Sequence, residues 1–244
     1  MEKDLITMTG FDELWPGGPR FRQQEDSFRL STDSVLLAHF AAPIRAKKII
    51  DLGCGAGVLT VLLSHARPGT RVEGVDIQSE SAELCRANMA ENGFDAGGVL
   101  TGDLREYRNL FKAGAYDLVV SNPPYFPVES GFNAPLDSRA IARDERCCTL
   151  DDVCAAAKYL CRWGGAFAMV HRPERLSEIF CALSRHGLEP KRLRMVQYKS
   201  SHAPNLVLVE ARRGGKPGLN IEKPLILSTP TGEDTEEIKE IYHR

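Results

Sequence analysis

The chain has 244 residues, 43% of them hydrophobic and 26% charged, with a formal net charge of −2. That length holds one large α/β domain or two small ones, needs no disulfide or metal staples to bury a core, and with this composition excludes disordered, collagen-like and fibrous chains. A charge near zero excludes a global positive field, so any nucleic acid has to be bound by a local patch.

Residues 1–46 are rich in Phe, Arg and Gln and precede the first strand, as an arm expected to pack on the domain that follows. The run 47–52 predicts a strand ending at a glycine cluster, 57–66 a helix, 71–76 a second strand, and 79–92 a helix closed by Asn92-Gly93. A weaker third strand covers 97–102. A fourth, 116–121, is stopped by Asn122-Pro123-Pro124. Residues 122–149 have no clear period, and a loop of that length inside a compact domain is usually functional. A helix over 150–162 capped by Thr149 or Asp151, a strand over 164–171 and a helix over 173–186 opened by Pro173 come next. Residues 190–199 and 205–212 read as a closing antiparallel pair. Gly214-Gly-Lys-Pro-Gly218 reads as a linker into a short acidic helix-like tail. Strands alternating with helices imply parallel βαβ units and helices on both faces of one sheet. The expected division is an arm (1–46), a domain (47–213) and a tail (214–244).

No run reaches the roughly 18 apolar residues of a membrane-crossing helix. The first ten residues carry both charge signs and no signal-peptide core. Seven cysteines without a Cys-x-x-Cys pair suit free thiols in a reducing cytosol. A cytoplasmic protein with no membrane and no metal partner is expected, as a monomer or weak homodimer.

The first strand runs into Asp51-Leu-Gly-Cys-Gly-Ala-Gly57 and then a helix. Gly53, Gly55 and Gly57 let the backbone turn sharply and let a ligand approach it. About 20 residues on, Asp76 ends the second strand, where a carboxylate can accept from both ribose hydroxyls. A dinucleotide fingerprint spaces its third glycine one residue later. The acid at Asp51 is also a poor neighbour for pyrophosphate and a good one for a cation. Asp51 to Gly57 with Asp76 resembles the class I S-adenosylmethionine-dependent methyltransferases. The resemblance implies a Rossmann-like, mostly parallel seven-stranded sheet with an antiparallel closing strand. It implies S-adenosylmethionine as cofactor, its amino-acid part wrapped by the loop, its ribose held by Asp76 with Ile77 beside it, and its adenine amino group met by Asp103 with Leu104 beside it.

Ser121-Asn122-Pro123-Pro124-Tyr125-Phe126 follows the fourth strand directly, and strand carboxyl ends line the crevice of an open parallel sheet. A rigid turn can present the Asn122 side-chain oxygen and the Pro123 carbonyl as convergent acceptors for a planar amino group. Drawing both N–H bonds to one side frees the nitrogen lone pair to attack a sulfonium methyl, which is work of positioning and electrostatics. Tyr125 and Phe126 offer aromatic faces to an unstacked base. The motif resembles the Asn-Pro-Pro-Tyr signature of methyltransferases acting on planar nitrogens. Asn-Pro-Pro-Tyr-Phe, Arg139-Ala-Ile-Ala-Arg143-Asp-Glu145 and the segment 21–37 together resemble the bacterial tRNA adenine-N6 methyltransferases that modify the adenosine beside the anticodon of a valine tRNA. The resemblance spans about residues 20–213. It implies catalytic roles for Asn122, Pro123, Pro124 and Tyr125, with Asn122 also at the cofactor. It places Thr32 and Asp33 near the cofactor or target base. The same residues make a good N-cap before Val35-Leu36-Leu37, and both roles stay open.

A phosphate-binding rim is expected from Arg139, Arg143 and Arg146 in the long loop, the first two four apart, from Arg20, Arg22 and Arg29, and from Lys191, Arg192, Arg194 and Lys199. The implied partner is a tRNA. The alternatives are the glutamine amide of a peptide release factor, or another RNA such as ribosomal RNA. Only about 50 residues precede Asp51, few for the helical substrate domain of the release-factor enzymes. A nicotinamide dehydrogenase is disfavoured by Asp51 and by the reaction motif.

Overall fold

The computed structural model describes residues 11–22, 32–125 and 148–244. A hairpin, β1 (Phe11–Glu13) and β2 (Arg20–Arg22), and helix α1 (Thr32–Ala41) precede the main sheet. Then β3 (Lys48–Leu52), α2 (Val58–Ala66), β4 (Arg71–Asp76), α3 (Ser79–Glu91) and β5 (Val99–Thr101) follow in turn. A short helix α4 (Tyr107–Leu110), β6 (Tyr116–Ser121), α5 (Leu150–Leu160), β7 (Cys161–His171) and α6 (Leu176–Arg185) continue the alternation. The chain finishes with β8 (Leu188–Gln197), β9 (Leu206–Arg213), β10 (Asn220–Ile221), β11 (Leu225–Ile226) and α7 (Glu236–Ile241).

The main sheet runs β10-β8-β9-β7-β6-β3-β4-β5, with β11 also on β8. Strands β3 to β7 pair in parallel, and β9 is antiparallel to both of its neighbours, β7 and β8. This is the expected seven-stranded sheet with its closing antiparallel strand, widened at one edge by two short strands. Period-two alternation sorts the core into two layers. Ile49, Leu118 and Val120 face α1, α2 and α3; Ile50, Leu52 and Val119 face α5 and α6. From β3 the chain winds to β4 and β5 on one side, then crosses back to β6 and β7 on the other. The switch point lies between β3 and β6, where an open α/β sheet leaves a crevice at its carboxyl edge.

Local chemistry sets several boundaries. Gly57 caps α2 in the left-handed region at φ 82°. There an added Cβ would lie 2.6 Å from the Cys85 sulfur and 3.1 Å from its Cα. Thr149, not Asp151, caps α5, through a reciprocal box with Asp152. The helix predicted to 162 stops at Leu160 because the chain turns extended at Cys161, so β7 starts earlier than expected. The hairpin is tied to α3, since the Arg20 and Arg22 N–H groups donate to the side-chain oxygens of Asn92 and Asn88 at 2.9 and 2.8 Å.

The residues after Gly214 correct the linker reading. Strands β10 and β11 add to β8 in parallel, and α7 buries Ile238 and Ile241 in the layer that holds α1. Thr235 caps α7 and donates its hydroxyl to the Ile226 carbonyl at 2.7 Å. The Gly and Pro residues mark turns between packed elements.

Candidate active site

Two loops meet at the switch point. Leu52 ends β3 opposite Ser121 at the end of β6, and the Ser121 hydroxyl donates to the Leu52 carbonyl at 2.8 Å. The glycine loop and the Asn-Pro-Pro-Tyr turn therefore leave adjacent strands from the same level.

In the glycine loop, Gly53 and Gly55 hold φ of 75° and 52°, which glycine adopts without penalty. The N–H groups of Gly53 and Cys54 donate to the Val75 carbonyl at 2.8 and 3.0 Å. A Cβ at either Gly53 or Gly55 would meet no atom within 4 Å, so the loop presents bare backbone to open space. Asp51 is 1% exposed and accepts from the Thr60 hydroxyl at 2.8 Å. Burial, helped by the nearby charge of Asp76, pushes its carboxyl up to about 7 against the Thr60 hydrogen bond. Asp76 accepts from the Gly55 N–H at 2.8 Å on one oxygen and from the Gln78 N–H at 2.9 Å on the other. Its carboxyl is also raised by burial, against those two hydrogen bonds. Ile77 beside it is 43% exposed, an apolar surface at the rim of the loop. Asp103 follows β5 and caps the next turn, and both of its oxygens accept from the Arg105 side chain, the closest contact at 2.5 Å. That guanidinium holds the Asp103 carboxyl below its ordinary range, and any base amino group there has to share the carboxylate with it. Leu104 packs towards the layer of α5 and α6.

Asn122 has its amide held at both ends. Nδ2 donates to the Ser34 hydroxyl at 3.1 Å, and Oδ1 accepts from the Tyr125 hydroxyl at 2.7 Å. The Tyr125 hydroxyl also lies 2.7 Å from Asp33 Oδ2. Burial, and then the Asp33 charge, push the phenol well above its ordinary value, so it stays neutral. Pro123 is buried and Pro124 half-buried. Thr32 is exposed at the start of α1 and meets the Tyr242 hydroxyl. Asp33 thus reaches the reaction motif, and Thr32 faces the tail. Phe126, Arg139, Arg143 and Arg146 lie outside the described residues.

Three residues around Tyr125 escaped the sequence reading. The His171 ring sits 5.2 Å from the Tyr125 ring, the Arg172 guanidinium 5.0 Å from it, and Arg175 Nη1 donates to the Tyr125 carbonyl at 3.4 Å. His171 is fully buried, and its Nδ1 accepts the Arg172 N–H at 2.8 Å, which leaves the proton on Nε2. Burial lowers its pKa to about 4, so the ring is neutral at working pH. Among the described residues Nε2 finds no hydrogen-bond partner. Their one available signal was position, at the end of the strand beside the reaction strand.

The basic rim needs correction at β8. Arg192 pairs with Glu210 at 2.9 Å and Glu222 at 3.3 Å, and Arg194 pairs with Glu237 at 2.6 Å. Lys191 and Lys199 donate to carbonyls of the tail, and Arg20 pairs with Glu91. The β8 and neighbouring cations fasten the tail to the sheet, and Arg20 fastens the hairpin to α3. Among the described residues no helix is long and apolar enough to cross a membrane.

Residues 30–142 match the family model described as methyltransferase small domain. A tRNA1(Val) (adenine(37)-N6)-methyltransferase of Porphyromonas gingivalis is 31% identical over 87% of this chain and 82% of its own. The enzyme of the same name from Aeromonas hydrophila is 29% identical over 77% and 78%. Among solved structures, an Agrobacterium tumefaciens protein described as a predicted O-methyltransferase superposes with a TM-score of 0.71 at 21% identity, over 87% of this chain and 96% of its own, a likeness of fold. With the glycine loop and the Asn-Pro-Pro-Tyr turn meeting at the sheet's switch point, and identity of this level sustained over most of both chains, the chain belongs to the tRNA1(Val) (adenine(37)-N6)-methyltransferase family.

Proposed function

We propose that the chain transfers the methyl group of S-adenosylmethionine to N6 of an adenosine in tRNA, the target being the adenosine beside the anticodon of a valine tRNA. The observation that carries this reading is the Asn122 amide, fixed at both ends on the turn beside the glycine loop. The loop fits the cofactor: bare glycine backbone faces open space, two buried carboxylates suit a cationic amino acid and a ribose, and exposed Ile77 suits a flat base. Asp51 and the loop would hold the amino-acid part, Asp76 and Ile77 the ribose and the adenine face, and Asp103 the adenine amino group.

When bound, S-adenosylmethionine supplies an electrophilic methyl on a positively charged sulfur. Asn122 Oδ1 and the Pro123 carbonyl accept the two N–H bonds of the target amino group, drawing them to one side so that the nitrogen lone pair turns out of conjugation. Tyr125 and Phe126 would offer aromatic faces to the base, and Arg139 and Arg143 would hold the phosphates around it. Fixed acceptors in a partly dry crevice do this without reorganising during the reaction.

The test is transfer of labelled methyl to unmodified bulk tRNA, with nucleoside mass spectrometry. A valine tRNA transcript and its variant with guanosine beside the anticodon are run in parallel. N6-methyladenosine in the transcript and none in the variant is expected. Label in a release factor, or none in any RNA, would overturn the reading. Asn122→Ala should lower turnover by about 10²–10³-fold, the loss typical of removing one such polar contact, with cofactor affinity kept within about twofold. Unchanged turnover would remove Asn122 from the reaction.

A further inference from the structure

Ser34 of helix α1 stands 88 residues before Asn122 in the chain, yet it is one of the two side chains that grip its amide. Ser34 sits in the first turn of a helix whose Val35, Leu36, Leu37, Phe40 and Ala41 are all buried in the core, so it has little freedom to move. It is itself only 8% exposed. A carboxamide has two ends of nearly equal size, and only the oxygen end can accept a substrate N–H. The Tyr125 hydroxyl, whose one proton is shared between Oδ1 and Asp33 Oδ2 at 2.7 Å each, stands at the oxygen end, and the Ser34 oxygen accepts from the nitrogen end. Asp33, from the same turn of α1, keeps the Tyr125 hydroxyl in place.

We propose that Ser34 is a positioning residue of the reaction site, whose hydroxyl fixes the Asn122 amide with its oxygen presented to the target amino group. This rests on the reading that Asn122 accepts that group. Removing the hydroxyl leaves the Nδ2–H without its acceptor and lets the amide swing between its two orientations. The cost falls on alignment in the transition state rather than on holding RNA or cofactor.

The experiment pairs kinetics with a measurement that needs no substrate. In Ser34→Ala, kcat should fall about 10–50-fold, while KM for tRNA and cofactor affinity stay within about twofold. Ser34→Thr, which keeps the hydroxyl, should recover most of kcat. In ¹⁵N spectra of the full chain, the Asn122 side-chain NH₂ pair is assigned by its loss in Asn122→Ala. In Ser34→Ala that pair should shift, and its protons should exchange faster with water. An unchanged kcat, a rise in KM alone, or an unmoved NH₂ pair would each overturn the proposal. If the unaltered protein methylates no tRNA, the functional reading fails, and the NH₂ pair still decides whether Ser34 holds Asn122.

Discussion

Asp51 carries its carboxyl in a buried site that favours the neutral acid up to about pH 7. The unfolded chain releases that proton near pH 4, so this group stabilises the free protein at low pH and the contribution is lost as pH rises from about 4 to 7. A cationic ligand needs the carboxylate, so it has to expel the proton. Affinity for S-adenosylmethionine should therefore rise about tenfold per unit as pH approaches 7 and level off above it. Calorimetric titrations between pH 5.5 and 8.5 read this directly. Asp51→Asn should bind weakly with a flat profile, and an Asn variant with the same slope would move the titration elsewhere. Asp51 was legible as a cofactor residue because the acid sits at the mouth of a glycine loop after a strand. Its burial and its Thr60 partner were not, because both depend on how α2 lies over β3.

At the scale of elements, the glycine loop works because α2 and α3 can come close. Gly57 sits where they meet, with the Cys85 backbone 3.1 Å from where a Cβ would stand and φ at 82°. Gly57→Ala would combine a left-handed alanine with an overpacked contact, a loss of about 2–4 kcal/mol. Urea denaturation should show the midpoint falling with the slope unchanged, and an unshifted midpoint would mean that α3 moves away freely. The same scale explains the basic residues of β8. Read in sequence, Arg192 and Arg194 look like phosphate ligands. In the fold their partners are Glu210, Glu222 and Glu237, which lie 18 to 43 residues away and whose approach no local pattern announces. Solvated charges and ion-paired charges have the same sequence signature.

For the whole molecule, the tail completes the sheet edge and closes the layer over α1. Leu225, Ile238 and Ile241 are buried there, and at about 1.5–3 kcal/mol each their loss sums to about 4.5–9 kcal/mol. A chain ending at Arg213 should melt more than about 10 °C lower, by the usual 2–4 °C per kcal/mol for a protein of this size. An equal melting temperature would make the tail an independent appendage. The alternation of strands and helices, the acid-led glycine loop, and the Asn-Pro-Pro-Tyr turn were readable from sequence alone, because each depends on local periodicity or on the backbone limits of Gly and Pro. Tertiary structure alone decided that Ser34 of α1 grips the reaction turn and that Asp33, which the resemblance had placed near the target base, meets the Tyr125 hydroxyl, that His171 and Arg172 flank Tyr125, and that the tail is built into the sheet. Those contacts join residues up to 92 positions apart, and the packing of two core layers on one twisted sheet, rather than any short-range pattern, brings them together.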